Sequence, residues 1–162
     1  MSGILVADAS PLHYLILIDC AGVLPELFAR VLIPPVVRDE LLRNPTPQKV
    51  KDWMTNPPPW LKMEPVSRYL PVAHLHPGEA AALQLALETK TPAVLMDDLN
   101  GRAAARQLGL AVIGTIGVLE RMAETELIDL PATVGKLQRT NFFVSPDLLI
   151  AALERDRQRH AT

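Results

Sequence analysis

The chain has 162 residues, a formal net charge of −2 and one cysteine. Its hydrophobic fraction of 49% and charged fraction of 21% exclude a disordered chain. The charge argues against a protein that coats nucleic acid by bulk positive charge, and one cysteine excludes an intramolecular disulfide or a cysteine-based zinc cluster. No apolar run approaches the roughly 20 residues of a membrane span, and no segment resembles a signal peptide. We therefore expect a soluble cytoplasmic protein.

The first half of the chain alternates short apolar runs with helical patterns. An apolar run at residues 4–7 predicts a strand buried on both faces, and Ser10-Pro11 predicts the N-cap and first position of a helix that ends near Ile18. The further predicted elements are a short helix at 24–28, a strand at 31–33, a helix from Pro35, a short helix at 48–54 and a strand within 60–66.

The second half continues the alternation. The predicted elements are a helix from His76-Pro77 to about Lys90, a strand at 93–96, a helix at 101–108, a strand at 110–113, a helix from Thr115 through Met122, and a last helix from Ser145-Pro146. Strands that alternate with helices predict an α/β domain with a mainly parallel sheet. Because the chain shows no linker, repeat or low-complexity tract, we expect one domain over residues 1–162.

Five carboxylates occupy informative positions in this pattern. Asp8 directly follows the first strand, Asp97 and Asp98 follow a later strand, Glu40 lies on the helix that leaves the second strand, and Glu79 lies in the first turn of another helix. Ligands of open α/β sheets bind beyond the carboxyl ends of the strands. We therefore expect these acids to meet at one edge of the sheet.

Four of the acids also have structural explanations. Asp8 could cap the helix that starts near Pro11, and either Asp97 or Asp98 could cap the helix that follows them. Glu79 could simply interact with the dipole at a helix N-terminus, which contributes about 0.3–1 kcal/mol. These explanations, taken one by one, leave the convergence of the acids unexplained.

Glu40 is the acid that is hardest to explain by structure alone. It lies three and four residues after Val37 and Val36, on the apolar face of its helix. A carboxylate there loses water and needs a cation or a donor. Clustered carboxylates favour Mg²⁺ or Mn²⁺, and a carboxylate-bound pair of such ions hydrolyses phosphodiesters, one ion activating water and the other stabilising the leaving oxygen.

Several ordered segments resemble the PIN-domain superfamily, and most closely its prokaryotic DUF3368-type branch. They are D-A-S-P-L at 8–12, P-P-V-V at 34–37 leading to Glu40, H-P-G-E-A at 76–80, Asp97-Asp98 with Arg102, and G-T at 114–115 with Gly117. The resemblance extends from about Ile4 to the last helix. It implies an α/β/α sandwich around a parallel sheet and a VapC-like, Mg²⁺- or Mn²⁺-dependent ribonuclease, with RNA as substrate and an antitoxin protein as partner.

The resemblance also assigns residues. The family's acidic quartet maps onto Asp8, Glu40, Glu79 and either Asp97 or Asp98, and the last position stays ambiguous by one residue. Glu79 stands where the family commonly has Asp, and Met96 stands where many members have Thr if the final acid is Asp98. Ser10 matches a small hydroxyl residue that could hydrogen-bond an acid or a metal-bound water, or could be a helix N-cap.

Arg102 and Arg106, which share one face of a helix, are the candidates for contacts with substrate phosphates. Aromatic residues make up only 4% of the chain, which disfavours an extended base-stacking platform. Apolar residues such as Phe142-Phe143 could serve a homodimer or pack in the core. The alternative functions are a PIN-like protein that binds nucleic acid or regulates without turnover and, ranked last, a phosphate-transferring receiver or phosphatase domain.

Overall fold

Five short apolar strands form the central sheet of the computed structural model, which describes residues 3–68 and 74–161. The strands are β1 Ile4–Ala7, β2 Arg30–Ile33, β3 Leu61–Met63, β4 Ala93–Leu95 and β5 Ala111–Ile113. Their order is β3-β2-β1-β4-β5, and every neighbouring pair is parallel. The prediction of a mainly parallel sheet is therefore confirmed. β3 is shorter than the run at 60–66 suggested.

Helices connect the strands and cover both faces of the sheet. They are α1 Ala9–Leu17, α2 Leu24–Leu27, α3 Pro35–Leu42, α4 Gln48–Thr55, α5 Pro77–Glu88, α6 Leu99–Gln107, α7 Thr115–Glu124, α8 Leu130–Gln138 and α9 Pro146–Arg159. Helix α8 was not predicted, although Asp129 caps it by accepting a hydrogen bond from the Ala132 N–H (3.0 Å). Within residues 3–68 and 74–161, no helix combines the length and apolar character needed to cross a membrane.

The alternation of side chains along the strands divides the core into two halves. Leu5 and Ala7 of β1 pack into one cluster, whose helical residues include Leu12 of α1 and Val118 of α7. Val6 of the same strand packs into the other cluster with residues of α5 and α6. The sheet is thus the middle layer of the α/β/α sandwich that the resemblance implies, which explains why its strands are continuous apolar runs.

The start of α1 differs from the prediction. Asp8, not Ser10, occupies the N-cap position, and the Asp8 side chain accepts no capping hydrogen bond. Ser10 lies in the first turn of the helix, so its prediction as N-cap is wrong. Pro11 is accepted in that turn because the first N–H groups of a helix have no intrahelical acceptor, so the missing proline N–H costs nothing there.

The connections place a crevice beside β1. The chain leaves β1 through α1, on one face of the sheet, and leaves β4 through α6, on the opposite face. Since β1 and β4 are neighbours, their carboxyl ends form the switch point at which ligands of such sheets bind. Asp8 comes directly after β1, and Asp97 and Asp98 come two and three residues after the end of β4.

Candidate active site

Asp8 lies at the centre of the crevice. Its backbone N–H donates to the Leu95 carbonyl (3.0 Å), which continues the β1–β4 pairing, and the residue is only 5% exposed. Burial raises the pKa of the Asp8 carboxyl from 3.8 to about 7, against the lowering effect of the Ala9 N–H, and the charges of Glu79, Glu40 and Asp97 raise it further. Three carboxylates from other segments therefore lie near enough to act on Asp8.

Glu40 reaches this group because α5 has a glycine in its first turn. A Cβ atom at Gly78 would overlap Glu40 Oε1, so the close approach of the carboxylate to the helix N-terminus requires glycine. Burial raises the pKa of Glu40, while the charges of His76 and Arg43 and the Gly78 N–H lower it. The sequence-based expectation that Glu40 is partly desolvated agrees with this environment.

One oxygen of Glu40 lacks a hydrogen-bond donor. His76 Nδ1 lies 3.1 Å from Glu40 Oε1, but the same nitrogen accepts a hydrogen bond from the Gly78 N–H (3.3 Å). In the neutral tautomer that accepts this hydrogen bond, Nδ1 offers a lone pair and no proton to the carboxylate, whereas protonation of His76 would place a positive charge beside it. Glu40 Oε1 is buried and has no hydrogen-bond partner among the described residues. An unsatisfied buried carboxylate oxygen is costly, and it is a natural ligand for a cation.

Glu79 caps the N-terminus of α5 and also belongs to the acidic group. Its Oε1 accepts a hydrogen bond from the His76 N–H (2.9 Å), which completes a capping box. Burial raises the pKa of Glu79, and the nearby carboxyl of Asp98 raises it as well. The helix-terminus explanation and the clustering of acids both hold for this residue.

Asp97 and Asp98 are held by different elements. Asp98 accepts a hydrogen bond from the Gly101 N–H (3.0 Å) and is the N-cap of α6, which confirms that one of the two acids caps this helix. Asp97 turns toward α7, where its two oxygens accept from the N–H and the hydroxyl of Thr115 (2.8 and 2.6 Å). Asp97 is therefore fixed by both donors of one fully buried threonine.

Thr115 is a site residue whose role the sequence reasoning missed. Leu95 of β4 is in register with Ile113 of β5. Two residues beyond these positions, Asp97 therefore lies beside Thr115. Between them, a Cβ at Gly114 would lie 2.9 Å from Asp97 Oδ1, tighter than ordinary packing. The Gly-Thr pair after a predicted strand was the available signal, but it became informative only once β4 and β5 were known to be neighbours.

The remaining predicted residues lie at different distances from the acids. Arg102 is half-buried beside Asp97 and donates from Nη1 to the Met96 carbonyl (2.9 Å). Arg106 is exposed near the end of α6, eight residues and about 12 Å along the axis from the Asp98 cap. Ser10 is exposed and lines a small cavity together with Glu40. Arg102 is thus much better placed for a substrate contact than Arg106.

The group fits a divalent cation by its donor chemistry, although the side chains do not enclose one as they stand. Across residues 3–68 and 74–161, no three His, Cys, Asp or Glu side chains are close enough together to hold a metal ion. The raised pKa of Asp8 comes first from burial and then from repulsion by the neighbouring carboxylates. That repulsion and the unsatisfied oxygen of Glu40 are both relieved by a cation among hard oxygen ligands.

Comparison with known proteins agrees with this architecture. A family model described as PIN domain, DUF3368, matches residues 4–158. The chain belongs to the PIN-domain family. Members of this family are typically nucleases that use divalent metals. Among solved structures, the PIN domain is similar to a PilT N-terminus domain protein from the hyperthermophilic archaeon Sulfolobus solfataricus P2, at a TM-score of 0.51 and 12% identity over 88% of this chain and 99% of that one. At that identity the likeness concerns the fold alone. A search of curated proteins found no match.

Proposed function

We propose that this PIN domain is a Mg²⁺- or Mn²⁺-dependent ribonuclease that hydrolyses phosphodiester bonds of RNA, acting as a single domain in the cytoplasm. One observation carries the proposal. Carboxylates from four separate segments, Asp8, Glu40, Glu79 and Asp97, converge at the switch point of the sheet, where burial raises the pKa of the central acid Asp8 and the charges of the other three raise it further. A cluster of this kind is unfavourable unless a cation joins it.

The metal ligands in this proposal are Asp8, Glu40, Glu79 and either Asp97 or Asp98. Bound divalent ions would supply charge neutralisation, activation of water and stabilisation of the leaving oxygen. The Thr115 hydrogen bonds fix the Asp97 carboxylate in place, and each of its oxygens retains a lone pair for a second partner. Arg102 stands beside Asp97, where its guanidinium can contact a phosphate.

A pair of neighbours on α3 provides a matched test. Glu40 points into the acidic group, whereas Asp39 is exposed on the same helix. We expect the wild type and Asp39→Asn to cleave RNA with Mn²⁺, and Glu40→Gln and Asp8→Asn to lose at least about 100-fold in rate, as expected when a charged group is lost from a catalytic centre. Single-stranded DNA of the same sequence tests the preference for RNA. Equal residual cleavage by wild type and both active-site variants would identify a contaminant and refute the proposal.

A second candidate is a PIN domain that binds nucleic acid or regulates without turnover. The observation in its favour is that, in the described part of the chain, the acids do not form a ready-made metal site. Calorimetric titration with Mn²⁺ separates the two functions. Heat of binding that disappears in Glu40→Gln supports the nuclease, and no binding by the wild type supports the alternative.

Two further proposals concern partners. The family resemblance supports the proposal that the protein is the toxin of a toxin–antitoxin pair, and apolar residues such as Phe142-Phe143 and those of the leucine-rich last helix support the proposal that it forms a homodimer. Light scattering measures the second directly. Growth arrest on expression of the wild type, absent for Asp8→Asn, is the result expected of a toxin.

A further inference from the structure

The chain between α8 and α9, residues 139–145, lines two cavities. Phe142, Phe143 and Val144 line a cavity of about 460 Å³ that also contains Asp97. Arg139, Thr140 and Asn141 line a second cavity of about 520 Å³. We call residues 139–145 the connector.

The connector is anchored close to the acids through α1. The Tyr14 hydroxyl donates to Asn141 Oδ1 (2.8 Å), and the ring of Tyr14 packs edge-on against Phe142 with 5.0 Å between the centroids. Burial and the charge of Asp97 both raise the pKa of Tyr14, which agrees with a position near the site. Since Phe142 packs inward against the core, the next side chain along the connector points outward.

That outward residue is Phe143, which is 89% exposed. The explanation by core packing therefore holds for Phe142 and fails for Phe143. Two other exposed apolar residues, Leu99 and Leu148, line the same cavity, with Arg102 and Asp97 at its polar side. An exposed aromatic ring beside a phosphate-processing site suits a nucleobase, because every base offers a face for stacking.

The cavity lined by Arg139 adjoins a smaller cavity that contains one of the acids. A smaller cavity of about 230 Å³ contains Ser10 and Glu40 and shares His13 and Thr46 with the cavity lined by Arg139. Arg139 is exposed and forms no ion pair with any described residue. A free guanidinium in a cavity next to the acids is suited to a phosphate.

We propose that the connector holds a single strand of nucleic acid across the acidic group, with a base stacked on Phe143 and a phosphate bound by Arg139. The strand is single because a base must be unstacked to lie against Phe143. The inference rests on the proposed nuclease function and adds the element that binds the substrate. A protein segment that covers the apolar cavity is the competing occupant.

Binding is measured by fluorescence anisotropy with a labelled single-stranded RNA 12-mer and its duplex, using full-length Asp8→Asn protein to prevent cleavage. We expect Phe143→Ala to weaken single-strand binding about 10-fold and Phe143→Trp to preserve it. Arg139→Gln should reduce the slope of log K against log salt by about 0.7, the value for one phosphate of a single strand. Ile150→Ala is the control, since Ile150 is 63% exposed on α9 and lines neither cavity.

Cleavage kinetics distinguish failure of this inference from failure of the proposed function. If the wild type cleaves RNA, Phe143→Ala should raise KM and leave kcat nearly unchanged. Cleavage with unchanged KM in both connector variants would overturn the inference and leave the nuclease intact. No binding and no cleavage by any form would overturn both. Unaltered RNA affinity of Phe143→Ala together with a loss of self-association in light scattering would assign the cavity to a protein partner and overturn the inference.

Discussion

Replacing Asp8 by Asn should stabilise the metal-free protein while it abolishes activity. In the folded state the pKa of Asp8 is about 7, against 3.8 for an ordinary aspartate. Each pH unit between these values corresponds to about 1.4 kcal/mol, so the ionised carboxylate costs the folded protein about 4 kcal/mol above pH 7. Asn keeps the shape of the side chain and removes the charge.

The pH dependence follows from the direction of this change. Because the folded state binds the proton more tightly than the unfolded state, the wild type loses stability as the pH rises from about 4 to about 7. The Asn variant has no such proton. The stability difference in favour of Asp8→Asn should therefore be small near pH 4, grow by about 3 kcal/mol between pH 5 and pH 8, and level off above pH 7.

Urea denaturation in EDTA at pH 5, 6, 7 and 8 measures the difference directly. Asp39→Asn is the control, because loss of an exposed carboxylate should change the unfolding free energy by less than about 0.5 kcal/mol at every pH. Replacing the EDTA by Mn²⁺ at pH 8 should stabilise the wild type and not Asp8→Asn, by about 2.7 kcal/mol at a free Mn²⁺ concentration of 100 times the dissociation constant. A difference that is independent of pH, or a variant less stable than wild type at pH 8, would show that Asp8 is already compensated in the metal-free protein.

Three further predictions concern the residues that position the acids. Thr115→Val should cost about 1.5–3 kcal/mol in urea and weaken Mn²⁺ binding about 10-fold by calorimetry, whereas Thr115→Ser should keep the affinity; equal affinities in the two variants would contradict the role of the hydroxyl. Gly78→Ala should lower the cleavage rate at least about 10-fold. Gly135→Ala is the control, because Gly135 lies in a helix with open space around it. It should leave the cleavage rate unchanged and raise the free energy of unfolding by about 0.5–1 kcal/mol. Asp98→Asn should keep the helix cap, so the free energy of unfolding should change little. The variant of the pair Asp98→Asn and Asp97→Asn that binds Mn²⁺ more weakly identifies which of the two aspartates is the metal ligand. Unchanged Mn²⁺ affinity in both variants would exclude both residues as ligands.

Much of the fold could be predicted from local patterns. Short apolar runs ended by Pro, Gly or Asp coincide with four of the five strands, because a strand buried on both faces must be apolar throughout. The helix cap provided by Asp98 was likewise visible, since a cap interacts only with the next turn of the chain. Helix α8 carried the same kind of local signal in Asp129 and was still missed.

Other features depend on contacts between distant segments. The sequence places acids at the ends of strands, but the binding of Asp97 to Thr115 requires β4 and β5 to be adjacent and in register. The approach of Glu40 to Gly78 requires α3 and α5 to meet. Phe142 packs against Tyr14, which lies more than 120 residues away along the chain, whereas the neighbouring Phe143 is exposed.

The amino-acid sequence by itself determined the kinds of element, the α/β class and the position of each acid at an element's end. These properties follow from periodicity and caps, which act within one or two turns of chain. Tertiary structure alone decided which oxygens lie together, which are already hydrogen-bonded and which lack a donor. The positions of these oxygens depend on the order of the strands and the packing of the helices. The free energy that favours this packing comes from many apolar contacts between distant segments, so it cannot be read from any short stretch of sequence.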